Sequence, residues 1–179
     1  MITNVLLEHS ELVPLALALV ALACAGVGTA ALRLGRPNSR LLPALAGLSV
    51  LAVLVLTLAP TGRTGDRGCT VQFALPALGR VELLANVALL LPAVVFATLA
   101  TRRPWAVLVA GSALSVGIEA VQALVPAIGR TCDTNDWSMN TLGVVIGAGI
   151  ARATLALADR AAALRIDADD DRMPSGTAH

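Results

Sequence analysis

Polar side chains recur at helical spacing inside a stretch of this chain that is otherwise apolar. Over residues 105–128, Gly111, Ser115, Glu119 and Gln122 follow one another at steps of four, four and three. At about 100° per residue, the four positions fall within roughly an 80° arc and predict one polar stripe on a helix. Because a carboxyl group in apolar surroundings is costly unless it is paired or hydrated, Glu119 is a candidate for ligand binding or general acid–base catalysis.

Two other apolar stretches have polar residues at the same predicted depth in the helix bundle. Glu82 and Asn86 lie four residues apart near the start of one stretch and would share a helix face. Asn140 would share a face with Gly143 and Gly147 in the other. The two glycines form a GxxxG pair, which lets a neighbouring helix approach closely. The three stretches therefore predict a polar niche between helices.

The segment of residues 129–138, between the last two apolar stretches, adds charge at the same end of the molecule. Its charged residues are Arg130, Asp133 and Asp136. We take Glu119 and Asp136 as the candidate catalytic residues. The predicted ligand-binding set is Glu82, Asn86, Glu119, Gln122, Arg130, Asp133, Asp136 and Asn140.

Each of these residues also has a purely structural interpretation. Asp136 or Ser138 could cap the N-terminus of the last helix, where a side-chain oxygen satisfies free N–H groups. Arg130 and Asp133 could form a loop salt bridge. The polar side chains within the helices could hold neighbouring helices together, at on the order of 1 kcal/mol each.

The composition excludes several classes of protein and of site. Of the 179 residues, 56% are apolar and 14% are charged, whereas soluble domains carry about 25% charged residues. All thirteen basic residues are arginine, which excludes a Schiff-base lysine, and the two histidines, His9 and His179, lie near the termini. A histidine-centred metal site or a Ser-His-Asp triad is therefore not expected. The formal net charge of +1 indicates no nucleic-acid partner, and we expect no metal and no cofactor.

Five apolar stretches are long enough to cross a membrane, which takes about 20 residues of helix. Arg152, within the fifth, would extend its charged group to the interface. The chain is thus predicted to be all-α, a polytopic membrane helix bundle with five transmembrane helices. Residues 1–11 would form an exoplasmic N-terminus, residues 12–158 the bundle, and residues 159–179 a cytoplasmic acidic tail, helical at first and then disordered. The predicted spans are residues 12–32, 41–60, 81–101, 105–128 and 139–158.

The arginines predict the orientation of the bundle. With the N-terminus outside, nine arginines fall inside and four fall outside, as the positive-inside rule requires. Trp105 and Trp137 lie at opposite predicted interfaces, where tryptophan is enriched. We therefore expect an N-out, C-in protein of the bacterial plasma membrane, in contact with membrane lipids.

The three cysteines fall into two classes. Cys24 lies in the middle of a span and is expected to pack as a small apolar residue. Cys69 and Cys132 fall in loops predicted to lie outside, where oxidising conditions permit a disulfide. That bond would tie the loop between spans two and three to the segment of residues 129–138. The alternative is two separate thiols.

The motifs of the second half of the chain resemble the VanZ-like family of membrane proteins. The resemblance covers roughly residues 41–152, and its first half is weaker than its second. Ala93 and Val94 follow Pro92 where the family often has Leu-Gly, a departure that concerns local packing. It implies an integral protein of the bacterial cell envelope, associated with antibiotic resistance to teicoplanin, a lipoglycopeptide that acts at the outer face of the membrane. The matching residues are Asn86 to Pro92, Ile118-Glu119-Ala120-Val121-Gln122 and Arg130-x-x-Asp133-x-x-Asp136-x-x-x-Asn140-Thr141-Leu142-Gly143.

Three functions follow as hypotheses. The first is a binding protein whose outward pocket recognises a lipid-linked cell-wall precursor or a lipoglycopeptide, with Arg130 engaging a phosphate or carboxylate. The alternative is a membrane enzyme on a lipid-anchored substrate, in which Glu119 is the acid or base and Asp133 and Asp136 hold a divalent cation. A transporter or channel is disfavoured, because polar residues are sparse in the predicted inner half of the bundle.

Overall fold

The chain is an all-α helix bundle in the computed structural model, which describes residues 12–33, 40–62, 68–75 and 81–170, with the side chains of residues 166–170 excepted. Five helices are long and apolar enough to cross a membrane, as predicted. The predicted exoplasmic segment 1–11 and the last residues of the predicted tail, 171–179, lie outside the described residues. The elements are α1 (Val13–Arg33), α2 (Leu41–Leu58), β1 (Cys69–Thr70), α3 (Val81–Thr101), α4 (Pro104–Leu124), a 3₁₀ turn (Pro126–Ile128), β2 (Cys132–Asp133) and α5 (Thr134–Asp170).

Helix α3 is the centre of the bundle. In its most apolar window 61% of the residues are buried, against 17% in the corresponding windows of α1 and α2. The latter two helices therefore present most of their apolar surface outward, as helices in lipid can. Leu90, Val94 and Val95 of α3 are all but fully buried among side chains of the neighbouring helices.

The closest helix contact joins α3 to α5. A Cβ atom on Gly143 would collide with the carbonyl oxygen of Val87, and one on Gly147 would lie 3.1 Å from the carbonyl oxygen of Leu91. The two glycines thus meet α3 on successive turns. This confirms that the GxxxG pair lets another helix approach closely.

Helix α5 begins earlier than the predicted fifth span and runs beyond it. It starts at Thr134 rather than at residue 139, because the Asp133 side chain accepts the N–H of Asn135 and caps the helix. The alternative caps predicted from sequence, Asp136 and Ser138, are wrong, since both residues lie inside the helix. Its 37 residues span about 55 Å at 1.5 Å per residue, so the last turns extend past a bilayer.

The two ends of the bundle differ in chemistry. At one end, α3 turns into α4 through Arg102, whose φ of 55° is uncommon for a residue with a side chain. Both terminal nitrogens of Arg102 donate to the Asp159 carboxylate of α5, at 3.0 and 3.2 Å. We call this the arginine end, since Arg33, Arg40 and Arg103 also lie at helix termini there. The opposite end, which holds β1 and β2, is the disulfide end.

Candidate ligand-binding site

A disulfide and a short sheet join two loops at the disulfide end. The strands β1 and β2 pair in parallel, with Cys69 opposite Cys132 and Thr70 opposite Asp133. Cys69 and Cys132 form a disulfide, with their Cα atoms 4.4 Å apart. The chain that leads from α2 to α3 is thereby fixed to the chain that leads from α4 to α5. Cys24, the remaining cysteine, is buried in the bundle as expected.

Hydrogen bonds from the first turn of α5 extend this junction. The N–H of Gln72 donates to Thr134 Oγ1 at 2.9 Å, and this hydroxyl donates to the Gln72 carbonyl at 2.8 Å. The N–H of Ala74 donates to Asn135 Oδ1 at 2.9 Å. Sequence reasoning missed Gln72, Thr134 and Asn135. The polar run just before the apolar part of α5 is the signal that would have found the last two.

Glu119 lies beneath this junction and contacts it directly. Its side chain is only 7% exposed, and its Oε2 atom accepts the backbone N–H of Asp133 at 2.9 Å. The second oxygen of the carboxyl group has no hydrogen-bond partner among the described residues. The Asp133 carboxylate is engaged on both oxygens, by the N–H of Asn135 and by the side-chain amide of Gln72.

The predicted polar stripe forms the buried face of α4. Gly111, Ser115, Glu119 and Gln122 are all buried, which confirms the helical spacing as a guide to that face. Ser115 Oγ accepts a hydrogen bond of 3.0 Å from the amide of Asn140, which links α4 to α5. The other atom of that amide, Asn140 Oδ1, is buried and has no partner in the described part of the chain.

Two of the predicted site residues meet between α3 and α5. The side-chain amide of Asn86 donates to Asp136 Oδ1, within the first turns of both helices. Glu82, one turn earlier on α3, is exposed and makes no hydrogen bond to a described residue. The shared face of Glu82 and Asn86 therefore brings only Asn86 into contact with α5.

Gln122 and Arg130 bind the end of α2 instead of the acidic residues. Gln122 Nε2 donates to the Thr57 carbonyl at 3.0 Å, and Arg130 Nη2 donates to the Leu56 carbonyl at 2.9 Å. The last carbonyls of a helix have no partner within the helix, so these bonds stabilise the terminus of α2. The alternative of an Arg130–Asp133 salt bridge is wrong, because Arg102–Asp159 is the only ion pair among the described residues.

A groove of about 280 Å³ opens on the outer surface of the bundle beside Glu119. We call it the Glu119 groove; its walls are almost entirely apolar. Val116 and Ala120 of α4 are exposed along it, so the groove faces the surroundings of the helices and not only the aqueous end. Nowhere in the described ranges do three or more histidine, cysteine or acidic side chains gather closely enough to hold a metal ion. The lining residues are Cys69, Val116, Glu119, Ala120, Cys132, Asp133, Thr134 and Trp137.

The relation of this chain to known proteins rests on one match. A family model described as VanZ/LLP1 matches residues 40–157, more than half of the chain. The chain belongs to the VanZ/LLP1 family. No curated protein and no solved structure matches it. The matched VanZ/LLP1 region contains the disulfide and every predicted site residue, whereas α1 and the end of α5 lie outside it.

Proposed function

We propose that this VanZ/LLP1 protein binds, at the outer face of the bacterial plasma membrane, a ligand that carries a lipid chain. The ligand class is a lipid-linked envelope component or a lipoglycopeptide such as teicoplanin. The observation that carries the proposal is the Glu119 groove, an apolar groove lined in part by buried Glu119, one of whose carboxyl oxygens has no hydrogen-bond partner among the described residues.

The opposite chemistry of the two ends supports an N-out, C-in orientation. Disulfides persist in oxidising compartments, which favours the disulfide end outside the cell. Arginines are enriched on the cytoplasmic side, which favours the arginine end inside. The two arguments are independent and agree, so the Glu119 groove would open toward the outer leaflet.

The chemistry of the groove favours an amide or hydroxyl at the junction of the lipid chain and the head group. Hydrocarbon fits the apolar walls, and the Glu119 oxygen that bonds to no described residue would accept a hydrogen bond from such a donor. Arg130 is exposed at the same end and commits one nitrogen to Leu56, so its other N–H groups remain to engage a phosphate or carboxylate on the head group.

The proposal is tested by comparing membrane abundance with teicoplanin sensitivity in cells that express matched variants. Glu119→Gln should keep normal abundance and lose protection against teicoplanin, because the amide nitrogen that replaces the second oxygen cannot accept a hydrogen bond. Val121→Ala, an exposed change on α4 outside the groove, is the control and should keep both. Unchanged protection by Glu119→Gln at normal abundance would contradict the proposal, while lost abundance would assign Glu119 a structural role.

The second candidate is a membrane enzyme that acts on a lipid-anchored substrate. The same Glu119 oxygen, which makes no hydrogen bond within the described ranges, favours it, because a general acid or base must reach the reacting atom. The two candidates differ in the expected behaviour of purified Glu119→Gln. If the variant still binds the lipid substrate but no longer converts it, the protein is an enzyme, whereas a loss of binding supports the first proposal.

A further inference from the structure

A second groove lies at the arginine end, between the last turns of α1 and the C-terminal part of α5. Its volume is about 230 Å³. Leu32 and Arg33 of α1 line one wall, and Leu157, Ala161 and Arg165 of α5 line the other. The groove is therefore mostly apolar and is lined by one arginine from each helix.

A shallower hollow continues from this groove along α1. It is lined by Gly26, Thr29, Ala30 and Arg33, so Arg33 belongs to both hollows. The Thr29 hydroxyl donates to the Ala25 carbonyl of its own helix at 2.7 Å and offers no free donor to the hollow. Small side chains thus leave room for hydrocarbon on both sides of Arg33.

The two arginines have no anionic partner among the described side chains. Asp159, an acidic residue on the same part of α5, is already bound by both terminal nitrogens of Arg102. Two arginines that line a mostly apolar groove from two helices are complementary to a phosphate group attached to hydrocarbon chains. A phospholipid suits this groove better than a soluble phosphate does, because only the phospholipid has hydrocarbon chains that can cover the apolar walls.

We propose that Arg33 and Arg165 bind the phosphate of an anionic phospholipid whose acyl chains lie in these two hollows. The site is separate from the Glu119 groove, which lies at the other end of the bundle. Both arginines lie outside the family-matched region, because Arg33 precedes residues 40–157 and Arg165 follows them. The bound lipid would hold α1 against α5.

Thermal unfolding of the full chain in detergent, with added lipid, tests this site. Phosphatidylglycerol should raise the unfolding temperature, and phosphatidylcholine with the same acyl chains should not. In Arg33→Gln/Arg165→Gln, the affinity for phosphatidylglycerol should fall about fivefold for each arginine removed, and the temperature increase should be lost. Arg40→Gln/Arg103→Gln, which removes two exposed arginines at the same end, should retain the increase.

Two further variants distinguish a loss of lipid binding from a folding defect. Arg33→Lys/Arg165→Lys keeps the charges and should keep most of the phosphatidylglycerol effect. Ala161→Leu fills the groove without changing the charge and should lose the effect. The proposal is overturned if Arg33→Gln/Arg165→Gln keeps the temperature increase, if the control pair loses it equally, or if soluble glycerol phosphate raises the unfolding temperature as much as the lipid does.

Discussion

At the residue scale, the two carboxyl oxygens of Glu119 have different roles. Its Oε2 atom accepts the Asp133 N–H and so holds β2 above α4, while its other oxygen has no protein partner in the described part of the chain. The structural bond needs only an acceptor, which an amide also provides. The function proposed for the second oxygen needs a carboxyl group, so conservative and truncating substitutions should separate the two roles.

Glu119→Ala should destabilise the protein more than Glu119→Gln does. The alanine variant leaves the Asp133 N–H without its acceptor, which costs about 1–3 kcal/mol, whereas the glutamine oxygen can still accept that bond. The measurement is the thermal unfolding temperature of both purified variants in detergent. Equal destabilisation by the two substitutions would show that the charge of Glu119, and not its acceptor, holds β2.

The sequence is enough to predict which face of α4 is buried, but not which atoms Gln122 and Arg130 bind. The spacing of the α4 stripe was enough to predict its burial, because a helix face is set by its period. The partners of Gln122 and Arg130 could not be predicted, since both bind backbone carbonyls of α2. Every residue has a carbonyl group, so side-chain types do not show which carbonyl at a helix end accepts the bond.

At the scale of elements, the α3–α5 contact determines how far apart the site-bearing helices lie. Asn86 and Asp136 can meet across this interface because Gly143, about two turns further along α5, lets the two backbones come together at Val87, the residue next to Asn86. In a membrane, helices associate through close packing more than through the hydrophobic effect. Small residues at this interface are therefore a condition for the site.

Gly143→Ala should separate α3 from α5 and destabilise the bundle by about 1–3 kcal/mol or more. The added methyl group would meet the Val87 carbonyl oxygen, which belongs to the backbone and cannot move aside. Gly149→Ala, on the same helix, is the matched control because nothing lies within 4 Å of its added Cβ. Thermal unfolding of both variants checks this, and a Gly149→Ala defect as large as that of Gly143→Ala would contradict it.

The Cys69–Cys132 disulfide should be intact in protein that is purified from the membrane, and it should stabilise the junction of β1 with β2. Under denaturing, non-reducing conditions, a maleimide reagent should label one of the three cysteines, Cys24, and after reduction it should label all three. Cys69→Ser/Cys132→Ser should lower the stability by about 2–4 kcal/mol. Labelling of three cysteines before reduction would contradict the bond and remove one wall of the Glu119 groove.

The existence of the helices was easier to predict than their ends. Long apolar stretches must be helical in a bilayer, because the backbone has to satisfy its own hydrogen bonds. The sequence predicts a start of α5 five residues too late, since the polar residues after Asp133 have the composition of a loop. They are polar because they bind the chain around Gln72 and Ala74, a long-range contact that local composition does not reveal.

At the scale of the whole molecule, the grooves at the two ends differ in the charge of the residues that line them. The disulfide end has a carboxyl group beside an apolar groove, and the arginine end has guanidinium groups beside another. This asymmetry suits a protein whose two faces meet different compartments. The orientation of the chain in the membrane therefore decides which leaflet each groove faces.

The orientation predicts the accessibility of introduced cysteines in intact cells. A membrane-impermeant maleimide should label Ala127→Cys, which is exposed at the disulfide end, and should not label Ala163→Cys, which is exposed on α5 past Asp159. The native cysteines do not interfere, since two are joined and Cys24 is buried. Labelling of Ala163→Cys alone would show that the protein has the opposite orientation. In the control, with permeabilised cells, both introduced cysteines should react.

The most direct test of the central claim uses Trp137 as a probe inside the Glu119 groove. Trp105 and Trp137 are the only tryptophans of the chain, so Trp105→Phe leaves one indole, on the groove wall. In phosphatidylcholine nanodiscs, an N-acyl amide with a brominated chain should quench Trp137 saturably, teicoplanin should compete, and adding Glu119→Gln should weaken the effect. Linear quenching that neither teicoplanin nor Glu119→Gln alters would contradict the claim that this groove binds a ligand.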